Sequence, residues 1–370
     1  MHDLPARLLP ASRVAVFDRP RGDELGTGIE ALVHVSDEDP GIRRRKRGRY
    51  FAYFSPDGDR ITDRAEIDRL AALAIPPAWT DVWISPDPHG HIQATGRDQK
   101  GRKQYRYHTL WTACRDEAKY GSLSRFAAAL PKLRKRIDED LARRGLDFEK
   151  VCASVVWLLD RTLIRVGNSA YARDNKSFGL TTLRDKHVDI EGSQLRFDFR
   201  GKSGKHWRLR LADRRIARIV RGAQELPGQK LFQYLDEEGA RRPLTSQDVN
   251  GYIREAAGGD FSSKDFRTWA GTVRALDRFA ETELPSTKAE QARVANAVID
   301  EVAARLGNTR AVCRRCYIHP QVFASWTQGA LADELSRVRS RRSQYLDASE
   351  ARTKAWLALH EGQATSPGTS

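Results

Sequence analysis

The sequence predicts an α+β protein, made of a small β-rich N-terminal domain and a larger, mainly helical domain that contains a small sheet. At 370 residues the chain is longer than one hydrophobic core usually supports. Short aromatic and alternating segments dominate residues 50–95, whereas apolar residues recur with helical spacing after Trp111. We predict an irregular segment at 1–40, a β-rich domain at 41–115, a mainly helical domain at 116–345, and a C-terminal helix and tail at 346–370.

The charge balance indicates a polyanionic partner. Lysine and arginine number 64 against 49 aspartates and glutamates, a net charge of +15 that is spread along the chain. A basic protein of this kind most often binds nucleic acid. The first twenty residues are interrupted by charges, and no run approaches 18 apolar residues. We therefore expect a cytoplasmic protein with no membrane partner.

The four cysteines, at positions 114, 152, 313 and 316, fit a reducing compartment better than a disulfide framework. Cys313-Arg-Arg-Cys316 is the one spacing that suggests zinc or redox chemistry. A zinc site needs two further ligands at a compatible spacing, and none is nearby. We therefore expect no metal and no cofactor.

The β-rich domain is expected to begin with a basic run at 43–49 that leads into an aromatic strand at 50–54. Attachment to a strand favours phosphate contact for this run, and a localisation signal or a solvated loop are the alternatives. A helix at 64–74 and a hairpin with strands at 82–85 and 91–95 follow.

The stretch 96–108 is flexed by glycines, strongly basic and interleaved with tyrosines. Lysines and arginines bond phosphate, while amide and planar groups reach base edges and sugars, so the stretch suits a DNA groove. An ordinary exposed hairpin is the alternative. The residues that we assign to DNA contact here are Arg102, Lys103, Gln104, Tyr105 and Tyr107.

The helical domain is predicted to start with helices at 112–120, 123–144 and 148–166. Gly167 is the expected stop of the third helix, which places Arg165 at a helix C-terminus, where a cation complements the helix dipole.

A small β region follows, with strand character at 179–183, 187–190, 195–199 and 207–211. The last two strands flank a hairpin tip that presents Lys202. This tip is not a nucleotide-binding loop, because Phe199 stands where such a loop needs glycine.

Further helices are predicted at 213–224, 246–257, 263–282, 286–305, 322–345 and 348–360. The helix at 263–282 opens with Ser262-Ser-Lys264-Asp-Phe-Arg267, a capped start that puts Lys264 and Arg267 on one face. Gly307 is the expected end of the helix at 286–305. Tyr317 follows in a cluster of arginines, and Pro320 is expected to stop the backbone pattern before it.

Five separated residues form the inventory for attack of a phenol on a phosphodiester. A free phenol has a pKa of about 10, so Tyr317 needs neighbouring cations to act as a nucleophile. Arg165 and Arg267 can clamp the nonbridging oxygens, Asn308 can donate a further hydrogen bond, and Lys202 can protonate the departing 5′ oxygen. The product would be a 3′-phosphotyrosyl bond, with no metal or ATP required.

Competing chemistries lack their residues. The sequence has no Gly-x-Ser-x-Gly elbow, no His-Glu-x-x-His helix and no nucleotide loop. The acidic cluster Asp138-Glu-Asp140 lies among arginines in a predicted helix, so a solvated face is the better interpretation than magnesium binding.

These motifs together resemble one known family. The segments Leu-Ile-Arg165-Val-Gly, Gly-Lys202-Ser-Gly-Lys, Lys264-Asp-Phe-Arg267-Thr-Trp and Leu-Gly-Asn308 through Tyr317 are similar to those of type IB DNA topoisomerases, in the short viral-type form also found in bacteria. The resemblance implies relaxation of supercoiled double-stranded DNA by a monomer, with two domains closing around the duplex as a clamp, and a nucleoid-associated location. It also implies that Gln104, Tyr105, Tyr107 and Tyr171 line the DNA, with Lys264 beside them.

Two positions depart from the family pattern, and two other classes stay open. Asn308 stands where many members have histidine, and Asn168 stands where lysine is common. A tyrosine recombinase would use the same nucleophile, but it usually has His-x-x-Arg where this chain has Lys264-x-x-Arg267, and a helical N-terminal domain. A non-enzymatic architectural protein explains the charge but not the ordered set of residues.

Overall fold

The computed structural model describes residues 32–169, 172–173, 176–341 and 343–364, and the predicted mixture of a β-rich region and a helical region is confirmed. The chain divides into two compact units between Arg115 and Asp116. Tyr171, expected to contact DNA, lies outside the described residues. Among the described residues no helix is long and apolar enough to cross a membrane.

The first unit contains an antiparallel sheet with the strand order β2-β1-β3-β4-β5. A single helix, α1 (Arg64–Ala72), lies between β2 and β3 in the chain and begins at the capping residue Asp63. The strands are β1 (Ile42–Arg47), β2 (Tyr50–Phe54), β3 (Thr80–Ile84), β4 (Ile92–Arg97) and β5 (Lys103–Tyr107).

The basic run is itself a strand, which corrects the expectation that the first strand starts at residue 50. β1 pairs with β2 across a tight turn. Arg44 of this strand donates to the carbonyl oxygens of Ile75 and Pro76, both at 2.9 Å, in the loop between α1 and β3, and lies 4.2 Å from the centre of the Phe51 ring on β2. These contacts stabilise a strand that was not predicted from the sequence because its residues are mostly charged.

The second unit begins within one continuous helix, α2 (Thr109–Leu141), where two helices were predicted. The helix continues through Gly121, where an added Cβ would meet no atom within 4 Å. A buried stripe of the same helix includes Leu123, Phe126, Leu130 and Leu133. Packing of this stripe outweighs the low helix propensity of glycine.

The next helix, α3 (Phe148–Thr162), ends earlier than predicted. Leu163 adopts the left-handed conformation, with φ of 58°, and takes the terminating position that the sequence had assigned to Gly167. Arg165 therefore lies in the loop after the helix and not at its C-terminus. Burial of the Leu163 side chain holds Leu163 in the left-handed conformation, which leucine rarely adopts.

A three-stranded antiparallel sheet follows, formed by β6 (Val188–Glu191), β7 (Gln194–Arg200) and β8 (His206–Ala212). The segment at 179–183, predicted as a strand, is instead a 3₁₀ turn, Leu180–Thr182. It makes backbone hydrogen bonds to the loop that carries Arg165. Two short paired strands, β9 (Gln233–Leu235) and β10 (Arg241–Pro243), were not predicted.

The remaining helices surround the buried core of the unit. They are α4 (Arg214–Glu225), α5 (Ser246–Ala257), α6 (Ser263–Ala280), α7 (Lys288–Leu306), α8 (Arg310–Cys316), α9 (Pro320–Thr327), α10 (Leu331–Arg337) and α11 (Ala348–Ala364). The single helix predicted at 322–345 is wrong, because Gly329, with φ of 73°, separates two short helices. Pro320 begins α9 at its first position, where the missing amide hydrogen costs nothing.

Candidate active site

Arg267 lies one turn into α6, on the buried face of the helix, and only 3% of its surface is exposed. The helix begins where predicted, with the Ser262 side chain accepting from the Lys264 amide. The Arg267 guanidinium donates to the carbonyl oxygens of Leu163 and Leu306. Both carbonyls belong to helix C-termini, whose partial negative charge stabilises a buried cation.

Burial, and after it the positive charge of Arg165, lower the pKa of Arg267 to about 10, although the neighbouring Tyr317 opposes the shift. The guanidinium is therefore still charged at neutral pH, yet lacks a carboxylate. Because an anion placed beside Arg267 would offset the burial cost, the site favours a negatively charged ligand.

Two buried donors of the site have no hydrogen-bond partner among the described residues, Nε of Arg267 and Nδ2 of Asn308. The Asn308 amide oxygen accepts from Nη2 of Arg165, which leaves the amide nitrogen as the unused side. A buried donor without a partner costs roughly 1–3 kcal/mol, and in a native protein it often marks a functional position.

Tyr317 follows the short helix α8, which Thr309 caps. Its amide donates to the Cys313 carbonyl at 2.9 Å, and the guanidinium carbon of Arg267 lies 5.1 Å from the centre of its ring. A Cβ added to Gly271 would overlap the Tyr317 carbonyl oxygen. The absence of a side chain at Gly271 thus allows α6 to approach the tyrosine backbone closely.

The loop that carries Arg165 is held against the 3₁₀ turn Leu180–Thr182. Leu180 donates its amide to the Arg165 carbonyl at 2.9 Å, and Thr181 donates to the Val166 carbonyl at 2.8 Å. A Cβ on Gly179 would lie 2.5 Å from the Arg165 carbonyl oxygen. Only glycine therefore fits at this approach.

Lys202 lies in a 3₁₀ turn, Lys202–Gly204, at the tip of the β7–β8 hairpin, as the sequence predicted for this tip. Its side chain is exposed. Among the described residues no carboxylate forms an ion pair with it, so its ammonium group is available as a proton donor.

One cleft of about 370 Å³ in the second unit brings four of the five predicted catalytic residues together. Its lining residues are Arg165, Val166, Gly167, Asn168, Ser177, Phe178, Lys202, Ser263, Lys264, Arg267 and Tyr317. No carboxylate is among them, so the cleft presents cations and a phenol. Asn308 does not line the cleft and reaches it through Arg165.

The residues predicted to contact DNA in the first unit lie on β5 and just before it. Tyr105 and Tyr107 project from the same side, with stacked rings 5.8 Å apart, and are 42% and 40% exposed. Three neighbours are instead bonded to carboxylates: Arg102 and Gln104 to Asp98, and Lys103 to Asp37. These three would have to exchange partners in order to reach DNA.

A second, basic cleft of about 640 Å³ was missed by the sequence reasoning. Its lining residues are Ser169, Ala172, Arg173, Lys176, Phe178, Thr182, Arg184, Lys186, Gln229 and Lys230. Phe178 lines both clefts. The signal was weak, because Lys230 lies far along the chain and meets Arg184 only through an isolated bridge between their backbones.

The two cysteines of the Cys313-Arg-Arg-Cys316 spacing differ in burial. Cys313 is buried in the core, and burial raises the pKa of its thiol to about 12, which disfavours the thiolate that a metal binds. Within the described ranges no three His, Cys, Asp or Glu side chains are grouped as a metal ion requires.

Two family models match most of the chain. The model of the eukaryotic DNA topoisomerase I catalytic core matches residues 103–342, and that of the bacterial DNA topoisomerase IB N-terminal domain matches residues 50–98. The first of these covers more than half of the chain and contains every residue of the cleft. The chain belongs to the type IB DNA topoisomerase family, which confirms the resemblance seen in the motifs.

The relatives are mainly viral. The DNA topoisomerase 1B of Acanthamoeba polyphaga mimivirus is 34% identical over 75% of this chain and 85% of its own length. The DNA topoisomerase 1B of Vaccinia virus is 22% identical over 74% of this chain and 86% of its own. The DNA topoisomerase 1 of Mycosarcoma maydis is 22% identical over 75% of this chain, but over only 30% of its own length.

Proposed function

We propose that the protein relaxes supercoiled duplex DNA through a transient break in one strand, with Tyr317 as the nucleophile. The observation that carries this proposal is the cleft itself, where a phenol lies beside Arg165, Arg267 and Lys202 without a carboxylate. Such a set of groups matches a phosphodiester, whose charge grows during attack.

In the proposed step the Tyr317 oxygen attacks phosphorus and loses its proton to solvent. The bond from phosphorus to the 5′ oxygen breaks, and Lys202 gives that oxygen a proton, so the products are a 3′-phosphotyrosyl bond and a 5′ hydroxyl. Arg165 and Arg267 bind the nonbridging oxygens, and the unused N–H donors on Arg267 and Asn308 donate further hydrogen bonds to the negatively charged phosphate. After rotation, attack by the 5′ hydroxyl reverses every bond change, so no ATP is consumed.

We propose that the duplex continues from the cleft into the basic cleft, because the two share Phe178 and neither presents a carboxylate. Tyr105, Tyr107 and the other predicted contacts of the first unit would bind the same duplex. All catalytic groups come from one chain, which supports action as a monomer, and the polyanionic substrate supports a cytoplasmic, nucleoid-associated location.

The test is relaxation of supercoiled plasmid in EDTA without ATP. The wild type is expected to change the linking number in steps of one, as a break in one strand allows. When the reaction is stopped by denaturing the protein, a covalent protein–DNA adduct should remain. Tyr317→Phe should bind DNA but relax none, and Tyr345→Phe serves as a matched control that keeps activity. Binding by the wild type with an unchanged linking number would refute the proposal.

A further inference from the structure

Trp207 lies between two of the segments that carry catalytic residues. The residue belongs to β8 and is paired with Phe199 of β7, and the two rings are nearly parallel with centres 6.3 Å apart. On one side of the indole is Gly201, where an added Cβ would lie 2.6 Å from Nε1. On another is Gly307, where an added Cβ would lie 2.6 Å from Cζ2. The backbones of both glycines therefore touch the same ring.

Each of these glycines immediately precedes a residue of the proposed mechanism, Gly201 before Lys202 and Gly307 before Asn308. Gly307 also ends α7 in the left-handed conformation, with φ of 63°. Gly201 has φ of −96°, which any residue adopts, so the indole alone explains the need for glycine there.

We infer that Trp207 is a positioning residue for the cleavage step, and this inference rests on the proposed function. Its ring sets the distance between the hairpin that carries the proton donor and the turn that carries Asn308. Because Asn308 bonds Arg165, the same ring also aligns Lys202 with the phosphate clamp. A displacement of about 1 Å at such a position slows catalysis by roughly 10²-fold.

The test compares single-turnover cleavage of two duplexes that differ only in the atom leaving at the 5′ side, oxygen or sulfur. A sulfur leaving group needs little protonation, so it isolates the contribution of Lys202. We expect Trp207→Ala to slow cleavage of the oxygen substrate by about 10-fold or more, and the sulfur substrate to recover most of the rate. Binding of uncleaved DNA should change less than about twofold, because no phosphate contact is removed.

Trp157→Ala is the matched control. Trp157 is another half-buried tryptophan that packs against the same core, but it lines neither cleft. If Trp207 served only the fold, its loss would slow both substrates alike, as we expect for Trp157→Ala, and that result would overturn the inference.

A second pair of variants keeps the inference testable if Trp207→Ala folds poorly. Gly201→Ala should likewise slow cleavage of the oxygen substrate, and the sulfur substrate should recover most of the rate, because the added methyl group would push the indole away. The loss of cleavage rate caused by Gly201→Ala should be smaller when it is combined with Trp207→Phe, because the phenylalanine ring is smaller than the indole. Equal losses in both backgrounds would overturn the inference, whereas a Lys202→Ala variant that sulfur does not rescue would overturn the acid role and the inference with it.

Discussion

The guanidinium carbon of Arg267 lies 5.1 Å from the centre of the Tyr317 ring, and one turn further along the same helix Gly271 abuts the Tyr317 carbonyl oxygen. Because residues four apart share a helix face, α6 holds both the ring and the backbone of the proposed nucleophile. One helix thereby positions both the proposed attacking group, Tyr317, and the cation beside it, Arg267.

Gly271→Ala should lower cleavage by at least about 10-fold, because the new methyl group displaces the Tyr317 backbone. Cleavage of duplex DNA and thermal unfolding are both to be measured. Gly251→Ala is the control, since Gly251 also lies in a helix but its Cβ would meet nothing within 4 Å. That control should keep its activity and gain up to about 1 kcal/mol of stability; full activity of Gly271→Ala would show that the contact is unimportant.

Lys202→Ala should slow cleavage of an ordinary duplex by about 10²- to 10⁴-fold, the usual contribution of a general acid. The 5′-sulfur duplex should restore most of that loss. Lys205→Ala, in the same hairpin, should behave like the wild type because Lys205 does not line the cleft. A failure of sulfur to rescue Lys202→Ala would remove Lys202 from the acid role.

Asn308→Asp should slow cleavage by about 10²-fold or more, because a carboxylate there would bind Arg165 and repel the phosphate. Asn308→His, which restores a hydrogen-bond donor, should retain far more activity. Single-turnover cleavage at saturating enzyme distinguishes the two variants. Similar rates for both would indicate that Asn308 contributes only its shape.

The double substitution Lys186→Gln with Lys230→Gln should weaken DNA binding and make it less sensitive to salt. Both lysines line the basic cleft, and each lost phosphate contact lowers the slope of log affinity against log salt by about 1. Affinity is to be measured across several salt concentrations. The control pair Lys288→Gln with Lys354→Gln lines neither cleft, and a slope equal in both pairs would exclude the basic cleft from the DNA path.

Stability should fall as the pH drops below the ordinary glutamate value of 4.5, partly because of Glu350. Burial alone would raise the pKa of Glu350, but bonds from Arg134 and Trp269 outweigh burial and lower it. The stabilisation is thus complete above the unfolded-state pKa and is lost as the pH falls through the lower folded value. Glu350→Gln should cost about 3 kcal/mol at neutral pH and flatten this pH dependence in urea unfolding; an unchanged pH profile would exclude Glu350 as its source.

Local signals predicted where two of the segments that carry proposed catalytic residues begin or end, because a capping residue marks a helix end beside each. Ser262 predicted the start of α6 and hence the helix face that Arg267 shares with Lys264. Gly307 predicted the end of α7. The assembly of these segments into one cleft was predicted only through the family resemblance, since no local pattern records which loops meet.

The errors came from contacts between distant residues. Leu163 ends α3 in a left-handed conformation because its side chain is buried and its carbonyl binds Arg267, 104 positions away. The basic strand β1 depends on the carbonyls of Ile75 and Pro76. The basic cleft depends on Lys230 meeting Arg184. In each case the stabilising partner lies outside any window in which periodicity is visible.

The two donors left without partners, on Arg267 and Asn308, carry a consequence for the evolution of heat resistance in this chain. A fold that keeps such groups in its interior is less stable than its packing alone would allow. Selection for thermal tolerance without selection for activity is therefore expected to find apolar replacements at Asn308 early, and under the proposed mechanism each would yield a more stable protein that cleaves DNA more slowly. Adaptation to hot environments must instead draw on positions far from Tyr317.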